Sequence, residues 1–95
     1  MRPLPANQET LGIARRVVWF EPPEVALSNP VRFLAYAFRY ASHPDMRTLR
    51  AYVSDAELSE ALEHAPPGII DDRSWAYWRL MLDLPPRRPP VRFIA

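Results

Sequence analysis

Apolar residues recur at helical spacing in four segments of the chain. Each segment carries apolar side chains three or four positions apart, the spacing that places them on one face of an α-helix. In the first segment only Arg32 and Arg39 interrupt an apolar and aromatic run, which predicts a central helix. The predicted helices cover residues 30–40, 45–53, 55–64 and 71–82.

The last of these predicted helices is apolar on almost all sides. Trp75 and Trp78 share one face with Leu82, while Tyr77 and Met81 lie on the other side. A helix of this kind must be buried, either inside its own domain or against a partner.

Side chains that can cap a helix precede each predicted helix. Serine followed three residues later by an acidic residue has the spacing of a capping box. Asparagine before proline, and aspartate before an apolar run, are also typical helix starts. The predicted caps are Asn29, Ser42 with Asp45, Ser54 with Glu57, and Asp71 or Asp72.

The two ends of the chain lack helical periodicity and are rich in proline. We therefore expect a flexible N-terminal arm over residues 1–14, a helical domain over 15–84, and a proline- and arginine-rich extended tail over 85–95. Residues 23–27 add one short helical turn. The predicted fold is all-α, a compact bundle of four or five short helices with extended N- and C-terminal arms.

Residues 17–20 form a short β-prone run. They are either a strand paired with residues 91–94 or an extended segment that places Trp19 and Phe20 in the helical core. We expect the extended segment, because an isolated two-stranded pairing is only marginally stable.

Composition limits the chemistry and the compartment expected of this chain. It has no cysteine, so disulfides and thiolate metal sites are excluded, and its first residues lack the apolar run of a signal peptide. No segment approaches the roughly 20 apolar residues that cross a bilayer. We therefore expect a cytoplasmic protein. The net charge of +1, with twelve arginines and no lysine, gives no general attraction to nucleic acid or membrane.

The titratable residues do not form a recognisable catalytic or metal site. His43 lies at a predicted helix start and His64 near a helix C-terminus, where each has a structural role. No Ser-His-Asp order, glycine-rich phosphate loop or HExxH spacing accompanies them. Asp71 and Asp72 alone would give a metal ion an incomplete ligand shell. The sequence predicts a protein that is not an enzyme and uses no cofactor or metal.

Charge and aromatic content point instead to surfaces for a protein partner. Carboxylates dominate residues 51–72, whereas arginines crowd the tail. The helix over residues 71–82, together with Trp19 and Phe20, also has more aromatic surface than so short a chain easily buries, so we expect some of this surface to face a partner. The predicted partner-binding residues are Asp55, Glu57, Glu60, Glu63, Trp75, Trp78, Arg87 and Arg88.

Two consecutive short helices, over residues 45–53 and 55–64, also allow a helix-turn-helix DNA-binding regulator as an alternative. The second helix would be the recognition helix, yet it carries four carboxylates and no arginine or lysine, so phosphate groups would repel it. Arg47 and Arg50 on the preceding helix keep this alternative open.

The order of these landmarks resembles a family of small bacterial antitoxin-like proteins encoded beside nucleotidyltransferase toxins of the abortive-infection type. That family opens with a tryptophan in a short extended segment, followed by an acidic or proline turn. There follow a helix with an aromatic end, an acidic turn and a helix ending in tyrosine. The pattern closes with a short helix, a break and an element that contains serine and tryptophan. The matching positions here are residues 17–23, 31–40, 43–45, 49–52, 58–65, 68 and 74–82.

The resemblance covers residues 17–84. This chain departs from the family at Asp83, where glycine is usual, and in its proline-rich tail. The resemblance implies an antitoxin that binds and neutralises a nucleotidyltransferase-like toxin. Such toxins transfer nucleotides onto RNA or protein, so their clefts are expected to be basic. The acidic helix over residues 55–64 would suit such a cleft, and the helix over residues 71–82 would supply aromatic anchors.

Overall fold

The computed structural model describes residues 1–90, and all of the regular structure in that range is helical. Within residues 1–90 six helices follow one another: α1 Gln8–Val17, α2 Pro23–Leu27, α3 Pro30–Tyr40, α4 His43–Leu49, α5 Asp55–Glu63 and α6 Asp72–Met81. They pack into one bundle with a Cα radius of gyration of 12.7 Å. The predicted all-α bundle is confirmed, with six helices instead of four or five.

Helix α3 occupies the centre of the bundle, as its apolar pattern predicts. Phe33, Leu34 and Phe38 are buried, and the helix packs against α1, α2, α5 and α6. Asn29 takes the N-cap position before Pro30, but its side chain makes no capping hydrogen bond. Burial of apolar side chains, and not a side-chain cap, therefore stabilises this helix.

Of the other predicted caps, the capping box of α5 is present and the cap of α6 is not. Ser54 Oγ accepts a hydrogen bond from the Glu57 N–H at 3.1 Å, and the Glu57 carboxylate accepts one from the Ser54 N–H at 3.0 Å. Asp71 takes the N-cap position of α6 without a capping hydrogen bond. Its carboxylate instead lies 3.8 Å from Arg39 Nε on α3.

Helix α4 is shorter at its C-terminal end than the sequence predicts. Ser42 caps it as expected, because Ser42 Oγ accepts a hydrogen bond from the Asp45 N–H, but the predicted capping box is incomplete because the Asp45 carboxylate bonds to Arg16 instead. It ends at Leu49, and the N–H groups of Tyr52 and Val53 both bond to the Leu49 carbonyl in the turn that follows. Val53 is buried by this turn, so its apolar side chain reflects core packing and not a longer helix.

The N-terminal region corrects the predicted domain boundary at residue 15, because α1 begins inside the expected arm. Asn7 Oδ1 accepts a hydrogen bond from the Thr10 N–H, and Thr10 Oγ1 accepts one from the Asn7 N–H, both at 3.0 Å. This is a capping box with threonine in place of the usual glutamate or glutamine. Ile13 of α1 is buried, and Leu4 before the helix also enters the core. The folded domain therefore includes most of the predicted arm.

The segment over residues 17–20 does not place its aromatic side chains in the core. Val17 and Val18 are buried at the end of α1, whereas Trp19 is 63% and Phe20 is 52% exposed. The two valines complete the inner face of α1, and the chain then turns, so both aromatic rings face outward. The strand alternative needed residues 91–94, which lie outside the described residues.

Helix α6 ends in a Schellman motif, and the tail then packs along the helix. The Leu84 N–H bonds to the Arg79 carbonyl oxygen at 2.8 Å. Between them Asp83 has a φ of 57°, a left-handed conformation that favours glycine. Further along, the indole N–H of Trp75 donates to the Arg87 carbonyl oxygen, which holds the non-helical residues 85–90 against α6; the rest of the predicted tail lies outside the described residues.

Candidate functional site

The two tryptophans of α6 belong to the core. Trp75 is 2% and Trp78 is 6% exposed. The Trp78 indole N–H donates to the Phe38 carbonyl oxygen at 3.0 Å, and that of Trp75 donates to a tail carbonyl at 2.5 Å. The structure therefore corrects the prediction that these indoles anchor a partner, because α3 and the chain's own tail already cover them.

The acidic residues of α5 are largely engaged within the molecule. Asp55 lies 2.7 Å from the Arg50 guanidinium, and Glu57 is held in the capping box of its own helix. The hydrogen bond from the Ser54 backbone lowers the pKa of Glu57. Glu60 is exposed and has no ion pair within residues 1–90. Helix α5 therefore presents less free negative charge than its sequence indicates.

Glu63 joins α5 to α6 and to the tail. Its carboxylate accepts a hydrogen bond from buried Arg79, which lowers the pKa of Glu63 below its usual value of 4.5. The same carboxylate lies 3.5 Å from Arg87 Nη1. Both guanidinium groups lie over the Trp75 ring, 5.3 and 5.7 Å from its centroid. Arg87 thus belongs to an internal network, whereas Arg88 is exposed and has no ion pair in the described part of the chain.

Exposed aromatic residues gather between the end of α1 and the outer face of α3. We call Trp19, Phe20, Tyr36 and Tyr40 the aromatic patch. Trp19 contacts Phe20 and Tyr40 edge-on, with ring centroids 5.4 and 5.6 Å apart. The Phe20 and Tyr36 rings meet at 5.4 Å. The four rings therefore hold one another in place, although Trp19, Phe20 and Tyr40 are each about half exposed.

Local sequence explains why these rings share one surface. Arg32, Tyr36 and Tyr40 are each four residues apart on α3, so they form one stripe along the helix. Trp19 and Phe20 follow the last turn of α1, in the connection to α2. Packing of α1 against α3 brings the two segments together.

Two arginines border the aromatic patch, and each has a carboxylate partner. The Arg32 guanidinium lies 5.7 and 5.3 Å from the centroids of two patch rings and donates a hydrogen bond to Glu21. That hydrogen bond raises the pKa of Arg32. Arg39 lies 5.0 Å from a third ring centroid and 3.8 Å from the Asp71 carboxylate. The patch therefore presents aromatic and guanidinium surface with little net charge.

The aromatic patch has the composition of a protein-binding surface. Tryptophan, tyrosine and arginine are the residue types that dominate the energetics of protein interfaces.

Elsewhere in the described chain, His43 packs edge-on against the Tyr77 ring, and His64 Nδ1 lies 2.9 Å from the Glu60 carbonyl oxygen. Within residues 1–90, no group of three histidine, cysteine or acidic side chains is placed to hold a metal ion.

Sequence reasoning did not identify the aromatic patch as one surface. It placed Trp19 and Phe20 in the helical core, although it counted both among the surplus aromatic residues of which some should face a partner. One signal in the sequence could have indicated this surface, namely Arg32, Tyr36 and Tyr40 at four-residue spacing. Arginine and tyrosine can pack their apolar parts against the protein while their polar end groups stay in water, so such a stripe is compatible with an exposed helix face. No periodicity in the sequence indicates that Trp19 would meet that stripe.

Among residues 1–90, no helix combines the length and the apolar character that a membrane crossing requires. Comparisons of the chain with protein families, with curated proteins and with solved structures give no match.

Proposed function

We propose that this chain is a non-enzymatic protein-binding module that anchors its partner on the aromatic patch. The observation that carries the proposal is a cluster of packed rings, with Trp19, Phe20 and Tyr40 about half exposed beside two stacked guanidinium groups. Such residues supply most of the binding energy in many interfaces. Because the rings already hold one another, they lose little conformational freedom when a partner covers them.

The charges around the aromatic patch favour a protein partner over a nucleic acid. Nucleic-acid binding depends on cationic side chains that are free to neutralise phosphates. At this surface Arg32 already bonds to Glu21, and Arg39 lies near Asp71. A protein surface that offers apolar side chains and a few hydrogen-bonding groups fits the patch better.

The partner that we propose is a nucleotidyltransferase-like toxin, which the chain neutralises as its antitoxin in the cytoplasm. The resemblance described above supports this choice, since its opening element over residues 17–23 contains Trp19 and Phe20. On α5, Glu60 is exposed and has no ion pair within residues 1–90, so it is the carboxylate that would contact a basic cleft at the edge of the interface.

Co-expression with the product of the neighbouring gene tests this proposal, which requires that product to be a nucleotidyltransferase-like toxin. We expect a complex on gel filtration and restored growth with the wild-type chain. Replacing both Trp19→Ala and Phe20→Ala should weaken the complex by roughly 30-fold or more, because truncating an interface hot spot removes about 2 kcal/mol or more. Leu80→Ala, which truncates an exposed side chain on α6, is the matched control and should bind like the wild type.

Two results would count against the proposal in different ways. If the wild-type chain forms no complex and restores no growth, the toxin is not its partner. If the complex forms but the double variant binds as tightly as Leu80→Ala, the interface does not include the aromatic patch.

A helix-turn-helix regulator is the alternative function, with α4 and α5 as the helix pair. It has less support, because Arg50 of α4 is paired with Asp55 at the start of α5, the helix that would enter the DNA groove. Titration of promoter DNA at increasing salt separates the two functions. A steep fall of affinity with salt would favour the regulator, and no binding would favour the protein-binding module.

A further inference from the structure

Helices α4 and α6 leave an open groove between them. Helix α4 packs against α1, whereas α6 packs against α3, and between α4 and α6 the His43 ring lies edge-on to the Tyr77 ring with centroids 6.4 Å apart. Two cavities of about 320 and 280 Å³ lie here. Both are lined by His43 and Met46 of α4 and by Tyr77 and Trp78 of α6. We call this depression the α4–α6 groove.

The floor of the α4–α6 groove is apolar. Phe38, Met46 and Trp78 are buried beneath it. Tyr77 and Met81, four residues apart on α6, stand in its wall and are 39% and 50% exposed. Covering these side chains would remove apolar surface from water, which is the main driving force for association.

The rim of the groove carries positive charge, and residues 1–90 neutralise only part of it. Arg73 lines one cavity and Arg47 and Arg50 line the other, while no carboxylate lines either. Arg50 is paired with Asp55, but Arg47 and Arg73 have no ion pair within residues 1–90. The aromatic patch differs in this respect, because both of its arginines have carboxylate partners.

We propose that the α4–α6 groove binds an acidic amphipathic helix of a protein partner. Apolar side chains of that helix enter the groove, and its carboxylates pair with Arg47 and Arg73. The groove runs between helices of seven and ten residues. At about 1.5 Å per residue it suits two to three turns of a docked helix. This inference concerns a different surface from the aromatic patch and does not depend on the proposed function.

Two other occupants fit the groove less well. Helix α5 of a second copy is acidic, but Asp55, Glu57 and Glu63 are already engaged within their own chain. A nucleic acid would be attracted by the arginines, yet its phosphates would gain nothing from the apolar surface of Phe38, Met46 and Trp78 in the floor. An acidic helix with apolar anchors matches both the rim and the floor.

A pair of synthetic peptides tests the proposal. The probe is a labelled helical peptide of about 18 residues, with leucines three and four positions apart and glutamates at the other positions. Its control has lysine in place of every glutamate. Fluorescence anisotropy should show that the acidic peptide binds at least about tenfold more tightly, and that its affinity falls with added salt.

Charge reversal at the rim locates the binding site. Arg47→Glu combined with Arg73→Glu should weaken the acidic peptide by at least about tenfold. Arg2→Glu combined with Arg15→Glu makes the same charge change at exposed arginines outside the groove, so its affinity should stay within about twofold of the wild type. Met81→Glu places a carboxylate in the wall and should weaken the acidic peptide while strengthening the lysine peptide. Circular dichroism checks that each variant folds.

Four results would overturn the proposal. The two peptides could bind equally, or reversal of Arg47 and Arg73 could leave the acidic peptide bound as in the wild type. A dimer that this charge reversal abolishes would assign the groove to a second copy of the chain. Displacement of the peptide by a single-stranded DNA oligonucleotide at equal concentration would assign it to nucleic acid.

Discussion

The molecule holds two clusters of aromatic side chains in opposite surroundings. Trp75 and Trp78 of α6 are almost fully buried, whereas Trp19 and Phe20 of the aromatic patch are more than half exposed. Both clusters contain tryptophan, and in both a guanidinium group lies over an aromatic ring. Residue type and stacked arginines therefore do not separate a core cluster from a surface cluster.

Hydrogen bonding of the indole N–H does separate them. Trp75 and Trp78 each donate to a backbone carbonyl inside the fold. Within residues 1–90, Trp19 Nε1 has no such acceptor. A buried indole N–H needs a hydrogen-bond acceptor, so the core tryptophans lie where a backbone carbonyl can accept that bond. The Trp19 N–H is instead available to water or to another protein.

Trp75→Ala should produce the largest effect in this comparison. It removes a buried ring together with its hydrogen bond to the tail, so the free energy of unfolding should fall by about 3–5 kcal/mol. Urea unfolding followed by circular dichroism measures the change. Trp75→Phe keeps most of the ring and should lose less. A loss below about 1 kcal/mol for the alanine variant would contradict the core assignment.

Glu63→Gln tests whether charge also stabilises the α6 cluster. Arg79 is buried and depends on Glu63 for its ionic partner. Removing that charge should lower the free energy of unfolding by about 2 kcal/mol. This loss is smaller than the loss expected on breaking a fully buried ion pair, because Glu63 is partly exposed. Asp55→Asn breaks the exposed pair with Arg50 and should change stability by less than about 1 kcal/mol. Equal effects of the two variants would contradict this assignment.

The same ion pair makes stability depend on pH. The hydrogen bond from Arg79 lowers the pKa of Glu63 in the folded state below its usual value of 4.5. Its contribution is therefore complete above that value and is lost as the pH falls through the lower folded pKa. Urea unfolding from about pH 7 to about pH 3 should show a smaller loss on acidification for Glu63→Gln than for the wild type. Identical losses would show that Glu63 is not responsible.

Asn7→Ala tests the support of the aromatic patch, because α1 leads directly into Trp19. The variant removes the capping box of α1 and should lower the free energy of unfolding by about 1 kcal/mol. Asn29→Ala is a matched control, since Asn29 takes an N-cap position without a capping bond. If both variants lose the same stability in urea unfolding, the Asn7 hydrogen bonds do not stabilise α1.

Trp19→Ala should have the smallest effect on stability, below about 1 kcal/mol, because the side chain is mostly exposed. The same variant should lose most of the tryptophan emission that iodide can quench, since Trp75 and Trp78 are shielded. A large loss of stability, or unchanged quenching, would place Trp19 in the core and remove the contrast between the two clusters.

The sequence predicted the helices whose signals are local. The prediction over residues 30–40 coincides with α3, and that over 55–64 ends one residue beyond α5, where a capping box and an apolar stripe agree. The sequence analysis did not predict helix α1. Its capping box pairs Asn7 with Thr10 instead of with glutamate or glutamine, and the residues before it are rich in proline. The acidic stripe of α5 was identified, but its internal partners Arg79 and Arg87 come from α6 and the tail.

By itself the sequence determined that this chain forms short, capped helices around a central apolar one, because periodicity and capping act within a few residues. Only the tertiary structure decided which aromatic rings are enclosed. The acceptor for Trp78 is a carbonyl 40 residues away, and the aromatic patch forms where α1 and α3 meet. Exposure of a side chain depends on which helix faces pack together, and spacing along one helix does not contain that information.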